Sequence, residues 1–460
     1  MRVIAEPVLK RPETPAWAVQ WGRFAERLRY EDLPAEVVAR TRLVLADSVA
    51  AIAAGAQEPE TKALAETLLA TSGIGPHPLI GARMRGSAAA AALFNGTAGT
   101  MLELDEGNQY ARGHPGIHVV PAALVAAART GAAGRDLILA IALGYEVGAR
   151  IGIASKLRVS MHPHGTWGTI GAAVAVAKLH GASAAQIVEA MSVASSLGLT
   201  TSRRTMLEGG TVRNSFAGFA NQIGLTVWDL VASGFTGEAD GVGTVYGTIA
   251  AEDWRPQEMV AELGQRWEIA RNYFKRHACC RYNHAALDAL SQITARERIA
   301  QEDVRAIEVE TYVWAAQLAS QEPHNMLAAK FSLPFSIATT LVHGAATVEA
   351  FREGARRDER VRDLARRVSV REDPALTDRL PAQRPARVRV TLADGRTLTA
   401  EAFTNRGDTE DPYGPAEIEE KFLELTSPVW GVSQARALYD MLSRLETASG
   451  LDEITALLAR

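Results

Sequence analysis

The sequence predicts a mainly α fold: a large all-helical domain, discontinuous along the chain, with a smaller α+β lid domain. Three observations carry this. From Trp17 to about Trp267, apolar residues recur at helical spacing. Two later runs, Ile307-Glu-Val-Glu-Thr-Tyr-Val and Ala386-Arg-Val-Arg-Val-Thr-Leu, alternate apolar and polar residues as strands do. After Asp411-Pro412 the helical pattern returns. The expected divisions are 1–271 for the first part of the helical domain, 272–405 for the lid and 406–460 for the helical return.

Taken in order, Asp32 caps a first long helix with Pro34 in its opening turn, and Gly55 ends it. Helices follow at about 60–71, 87–104, 119–130, 135–153, 167–180, 184–197 and 216–233. Their faces are built from Ala and Gly more than from Leu and Phe. Small residues let helix axes approach closely, which predicts a body of helices on helices rather than a covered sheet. In the lid, helices at about 283–297, 330–343 and 358–367 lie between the strands. The second strand turns at Asp394-Gly395 and returns as a hairpin. The last helices are expected at about 415–426, 430–445 and 451–459.

Composition narrows the function. The 460 residues carry 49 Lys+Arg against 53 Asp+Glu, a net charge of -4, without the basic surplus of a nucleic-acid binder. A hydrophobic fraction of 47% excludes intrinsic disorder. Cys279 and Cys280 are adjacent and are the whole complement of two, which excludes a disulfide scaffold, a four-Cys zinc site and a cubane iron–sulfur cluster. Arg129, Arg135 and Glu146 interrupt the most apolar stretch, so no membrane span is expected. The start MRVIAEPVLKRPETP lacks a signal-peptide apolar core, and a cytoplasmic protein is the simplest expectation.

Four polar segments sit in breaks between helices. In the first, Glu103, Asp105 and Glu106 crowd a helix C-terminus against its dipole, and His114 follows in a His-Pro-Gly turn. The bland reading is a solvated loop. In the second, His162-Pro-His164 stands at or just before a helix N-terminus, where backbone N–H groups favour a neutral imidazole or a bound carboxylate. A helix cap or a metal pair are the rival readings. The third places Arg203, Arg204 and Arg213 around Gly209-Gly210, suited to gripping carboxylates bidentately. The fourth gathers Lys275, Arg276, His277, Arg281 and His284 around the cysteine pair at the expected domain junction. A thiolate nucleophile is conceivable there, and buried packing is the alternative. With no phosphate loop or dinucleotide fingerprint, the substrate class is a small polycarboxylate and the feasible chemistry is proton abstraction next to a carboxylate.

These segments, with Ala46-Asp-Ser-Val-Ala-Ala-Ile-Ala-Ala-Gly before them and Phe331-Ser-Leu-Pro-Phe, Asn405-Arg-Gly-Asp and Glu420-Lys-Phe after them, resemble the ordered motifs of the MmgE/PrpD family. That family includes 2-methylcitrate dehydratase, cis-aconitate decarboxylase and iminodisuccinate epimerase. The resemblance implies a helical domain with an α/β lid, a homodimer, an active site between the domains and catalysis without metal or other cofactor. It places the family's carboxylates on Glu103 and Asp105, its histidines on His114 and His162 and its lid-side lysine on Lys275. The expected roles are His162 and Lys275 as proton-transfer groups, Asp105 or Glu103 as orienting or relaying carboxylates, and His114, Arg213 and Arg281 as carboxylate holders, with His164 and Arg204 beside them. Three departures stand out. Glu103 replaces an aspartate, Arg213 replaces a lysine, and Phe335 replaces a tyrosine, which removes a phenolic proton donor. The expected function is a 2-methylcitrate dehydratase-like lyase; an epimerase of an amino- or imino-dicarboxylate and a catalytically inactive binding protein are the alternatives.

Overall fold

The computed structural model describes residues 12–460, so the first eleven residues of the expected helical domain, and most of the N-terminal segment judged for a signal peptide, lie outside it. The described chain is mainly helical. Helices Ala35–Gly55, Ala88–Thr100, Pro115–Thr130, Gly134–Ala154, Gly168–Leu179 and Phe216–Ala232 pack into one body. Glycines set the spacing of these helices. A Cβ on Gly144 would collide with the Gly171 carbonyl, and a Cβ on Gly171 with the Gly144 carbonyl. A Cβ on Gly96 would strike the Gly218 backbone, and one on Gly218 the Leu93 carbonyl. The close axes bury the helices around them almost completely.

Helix Gly134–Ala154 is by itself long and apolar enough to cross a bilayer, at mean hydropathy 1.7, but 94% of that stretch is buried inside the fold. Its polar residues are satisfied internally: Arg150 Nε donates to Glu146 Oε1 at 2.6 Å, and its other nitrogens reach the Ala261 and Arg266 carbonyls. Pro121 lies inside helix Pro115–Thr130 and has no N–H to give to Ile117. Asn221 repairs the gap. Its Nδ2 donates to the Ile117 carbonyl at 2.8 Å and its Oδ1 accepts from the Ala122 N–H at 2.9 Å.

The body is not wholly helical. A two-stranded antiparallel sheet pairs β1 (Ile74–Leu79) with β2 (Met84–Gly86), and a second pairs β3 (Ser155–Leu157) with β4 (Ala251–Trp254). These strands are short and β1 holds two prolines, so neither pair leaves an alternating pattern in the sequence. The helix expected from Asp32 begins instead at Ala35 with Pro34 as its N-cap, while the Asp32 carboxylate accepts from the Arg29 N–H in a separate turn.

The later sheet has the order β6-β5-β7-β8, from β5 (Val304–Thr311), β6 (Val368–Glu372), β7 (Ala386–Leu392) and β8 (Thr397–Ala402). Both expected strands and the hairpin form, with Gly395 at φ +87° in the turn. The unexpected strand is β6, which pairs parallel to β5 (Ile307 with Val368) through a crossover of helices. One face presents Ile307, Val309, Val388 and Val390 to the core, and helix His284–Arg296 packs against β7 and β8. Beyond residue 412, helix Pro415–Trp430 packs against Ala35–Gly55.

Candidate active site

Helix Ala88–Thr100 ends four residues earlier than the sequence pattern suggests, and Glu103 turns into the left-handed region at φ +56°. A bulky residue held there is strained, and the surrounding loop must over-determine it. It does so through buried hydrogen bonds. Asp47 Oδ2 accepts from the Glu106 N–H at 2.9 Å, and Lys421 Nζ donates to the Leu104 carbonyl at 2.7 Å and to Asp47 Oδ1 at 2.5 Å. Gly107 exchanges both backbone hydrogen bonds with Tyr273. Any side chain at Gly107 would strike the Tyr273 ring, so the position requires glycine.

This loop presents Asp105 to an imidazole and an ammonium group. Asp105 Oδ2 lies 3.0 Å from His114 Nδ1, and Oδ1 lies 3.8 Å from Lys275 Nζ. Glu103 pairs with Arg213 and lies 3.7 Å from Lys275. Burial opposes ionisation of Asp105, but His114 and Lys275 outweigh it and hold the carboxyl well below its usual range. His114 N-caps helix Pro115–Thr130 and its Nδ1 also lies 2.7 Å from the Glu106 carbonyl. A carbonyl only accepts, so Nδ1 carries the proton and Nε2 is the free, basic nitrogen.

Four imidazoles stack edge to face: the His164 ring lies 4.8 Å from His114, 4.9 Å from His118 and 4.7 Å from His162. His162 Nδ1 accepts from the His164 N–H at 3.1 Å, which leaves the proton of the neutral ring on Nε2. His162 is therefore a donor, and neither His162 nor His164 caps the helix that begins at Gly168. His118 is spent structurally, with Nδ1 on the His114 carbonyl and Nε2 accepting from the Gly165 N–H. Burial, reinforced by Arg213 and neighbouring rings, pushes His162 and His164 well below their ordinary values, and burial lowers His118 to about 4.

A narrow cavity opens against this cluster. Glu103, His114, His162, His164, Arg213 and Arg281 line it, and so do Arg112, Arg203, Met206, Tyr273, Cys280, Tyr282, Phe331 and Arg384. Of the expected site residues, three are placed differently. Lys275 and Asp105 are fully buried behind the wall, so Lys275 does not face the cavity. Arg204 points to solvent, 82% exposed, and pairs with Glu208 one helical turn away. It holds no carboxylate in the cavity, because its neighbour Arg203 takes the inward direction.

The cations on the wall also divide. Arg213 is already neutralised by Glu103 and lies over the Phe331 ring at 5.3 Å. Arg281 is neutralised by Asp408, bonded to Asn405, and stacked 4.7 Å over Tyr273. Phe335 sits in the core beside Phe351, 6.0 Å away, and the wall still carries the phenols of Tyr273 and Tyr282. Burial pushes the Cys279 and Cys280 thiols up to about 12 and 11, which removes the thiolate nucleophile and leaves packing as their role. Sequence reading missed Arg112, Arg384, Tyr273 and Tyr282. Tyr273 and Tyr282 flank the cysteine motif and were within reach of a closer reading; Arg384 lies in an otherwise featureless loop.

The buried ionisable groups set a pH optimum for stability. His118, His162, His164 and His284 are held neutral, so below the ordinary histidine value of 6.5 the unfolded chain binds protons that the fold refuses. Glu106 and Glu146, raised by burial to about 8 and 7, keep protons that the unfolded chain releases above 4.5. Between 4.5 and 6.5 the losses on acidification at these histidines, joined by His77 and His180, outweigh the gains at the glutamates; between 6.5 and about 8 the glutamates dominate, and above about 8 Lys178 and Lys330, lowered by burial to about 8, act in the opposite sense. From pH 4.5 to 8 the melting temperature should therefore peak near pH 6.5 and fall on both sides, with Glu106→Gln flattening the alkaline limb. Melting curves over that range check this, and an alkaline limb unchanged in Glu106→Gln would refute the assignment.

A helical body encloses a cavity of imidazoles, guanidinium groups and the Glu103 carboxylate, and the relatives of this chain make it an enzyme of the lyase type. The comparison with known families agrees. The MmgE/PrpD N-terminal domain matches residues 19–251 and the MmgE/PrpD C-terminal domain matches residues 277–447, and the chain belongs to the MmgE/PrpD family. It is 24% identical over 466 residues to a cis-aconitate decarboxylase of Aspergillus terreus, covering 95% of this chain and 94% of that protein. It is 26% identical over 350 residues to the cis-aconitate decarboxylase of Homo sapiens, covering 71% of this chain and 69% of that protein.

Proposed function

We propose that this protein is a lyase acting on a small di- or tricarboxylate by proton transfer at a carbon next to a carboxylate, without a bound cofactor. The observation that carries this reading is the buried Asp105–His114 pair, whose imidazole keeps Nε2 unprotonated and lines the same cavity as His162, whose ring proton is on Nε2. A carboxylate behind an imidazole fixes the tautomer and stabilises the imidazolium that forms when the base takes a proton. Lys275 serves this reading from behind the wall, where it faces both Glu103 and Asp105 and helps hold Asp105 ionised. The lid of residues 272–405 contributes Tyr273, Cys280, Arg281, Tyr282, Phe331 and Arg384 to the wall, and its covering role and a homodimer belong to the same reading.

Two reactions fit this arrangement. In a dehydration, His114 takes the proton next to the carboxylate, the carbon–oxygen bond breaks while the His162 Nε2–H hydrogen-bonds the departing hydroxyl, and the His114 imidazolium returns its proton to that hydroxyl, so that water leaves. In a decarboxylation, a carboxylate leaves as carbon dioxide, its electron pair passes into the carbon skeleton, and His114, entering this reaction as the imidazolium, protonates the carbon that receives it, with His162 as hydrogen-bond donor. The relatives' names make cis-aconitate the first compound to try, followed by 2-methylcitrate and citrate.

The test is incubation of the protein in D2O with these compounds and iminodisuccinate, followed by NMR. Loss of water or carbon dioxide, with His162→Ala removing it, is the expected result. Deuterium entry with inversion and no elimination would replace the lyase by an epimerase. Silence with every compound, together with thermal stabilisation by one, would leave a binding protein.

A further inference from the structure

The cavity's guanidinium groups are not equivalent, and the difference points to a site that catalysis does not use. Arg213 and Arg281 each have a buried carboxylate of their own. Arg112, Arg203 and Arg384 have none within ion-pair distance among the described residues. Their partners are neutral: Arg112 Nη2 donates to the Ser155 carbonyl at 3.1 Å, Arg203 Nε to Gln317 Oε1 at 3.2 Å, and Arg384 Nη2 to the Gln109 carbonyl at 2.7 Å. Arg384 is 3% exposed and its Nε is a buried donor without a partner; Arg203 Nη2 is another. An unpaired charge in such surroundings is costly, and an anion between the two would relieve it.

Their placement gives that anion an address. Tyr282 lies between Arg203, 5.7 Å from its ring centre, and Arg384, 5.4 Å from it. A second cavity of about 210 Å³ adjoins the first, and Arg112, Arg203 and Tyr282 line both. Burial lowers the Arg112 guanidinium and Arg384 lowers it further, as expected of cations sharing one pocket. The Arg112 backbone is itself held at φ +59°, in the left-handed region.

We propose that Arg112, Arg203 and Arg384, gathered around Tyr282 where the two cavities meet, form a carboxylate site at the mouth of the active site, which holds a substrate carboxylate remote from the reacting carbon. It rests on the polycarboxylate reading above and deepens it: affinity for the remote carboxylate is set here, whereas Arg213 and Arg281 are already paired with Glu103 and Asp408. A substrate with only the carboxylates beside the reacting carbon leaves this site empty and binds weakly.

The test uses two saturated compounds that cannot react, propane-1,2,3-tricarboxylate and succinate, with binding measured by calorimetry on the full chain. The wild-type protein should bind the tricarboxylate at least 10-fold more tightly than succinate, and Arg203→Gln and Arg384→Gln should each remove about 10- to 100-fold of tricarboxylate affinity while barely changing succinate. Arg203→Lys should recover part of it, and Arg360→Gln, on the exposed surface, should leave both compounds unchanged. Arg203 is half-buried and tolerates substitution if Arg384→Gln fails to fold. A tricarboxylate preference that persists in Arg203→Gln, or is absent from the wild type, overturns the site. The two readings fail separately. Binding that follows these variants without turnover of any compound supports the mouth site and removes the lyase, whereas turnover with an unchanged KM in Arg203→Gln does the reverse.

Discussion

Asp105→Asn should lower kcat by about 10³- to 10⁴-fold with little change in KM. The substitution keeps the shape of the side chain and removes its charge. Asp105 is fully buried and held ionised by what faces it, the Nδ1–H of His114 at 3.0 Å and Lys275 at 3.8 Å. Without the anion, the imidazolium formed when His114 takes a proton has no stabilising partner, although the Glu106 carbonyl still holds the tautomer. Lys275 is left with Glu103 alone. Because Asp105 acts through His114, Asp105→Asn combined with His114→Gln should cost no more than the worse single change. Steady-state kinetics on the compound found in the D2O assay measures this, and a melting curve separates lost folding from lost chemistry. Near-wild-type kcat in Asp105→Asn would remove the pair from the mechanism.

The second large effect falls on stability, far from the cavity wall. Lys421→Met should destabilise the fold by about 3–5 kcal/mol, because it leaves Asp47 buried without its cation. An ordinary buried pair is recovered by replacing both members with apolar residues. Here Asp47→Leu with Lys421→Met should remain destabilised by about 2 kcal/mol or more, since the Glu106 N–H and the Leu104 carbonyl also lose their partners. Those two groups flank Asp105, so kcat should fall in the double variant as well. Denaturant unfolding of the single and double variants decides between the cases. Full recovery of stability in the double variant would reduce the pair to simple charge balance.

Much of the fold was legible because its signals are local. Both strands with strict alternation, Val304–Thr311 and Ala386–Leu392, form as expected, and so does the hairpin at Asp394-Gly395. Helices rich in Ala and Gly pack as closely as their small residues allow, as at Gly144 and Gly171. The elements that escaped are those whose stability comes from a distant partner. Strand β6 has five residues and owes its pairing to β5, and β1 and β3 are too short to show a period. The end of helix Ala88–Thr100 was misplaced for a similar reason: Asp47 and Lys421, remote in the chain, pull the next residues into the loop that carries Glu103 and Asp105.

The site divides along the same line. The sequence by itself determined which chemical groups are present, their order along the chain and the mainly helical class, because these follow from residue type, spacing and short-range propensity. It pointed to Glu103, His114, His162, His164, Arg213 and Arg281, and all six meet at one cavity. Only the tertiary structure decided which of them are free to act. Burial and pairing are three-dimensional quantities: they neutralise Arg213 with Glu103 and Arg281 with Asp408, place Lys275 and Asp105 behind the wall, and turn Arg204 to solvent. The same geometry brings Arg112, Arg203 and Arg384, some 270 residues apart at the extremes, to one ring and one mouth, because a guanidinium's charge is compensated by what surrounds it in space and not by its neighbours in sequence.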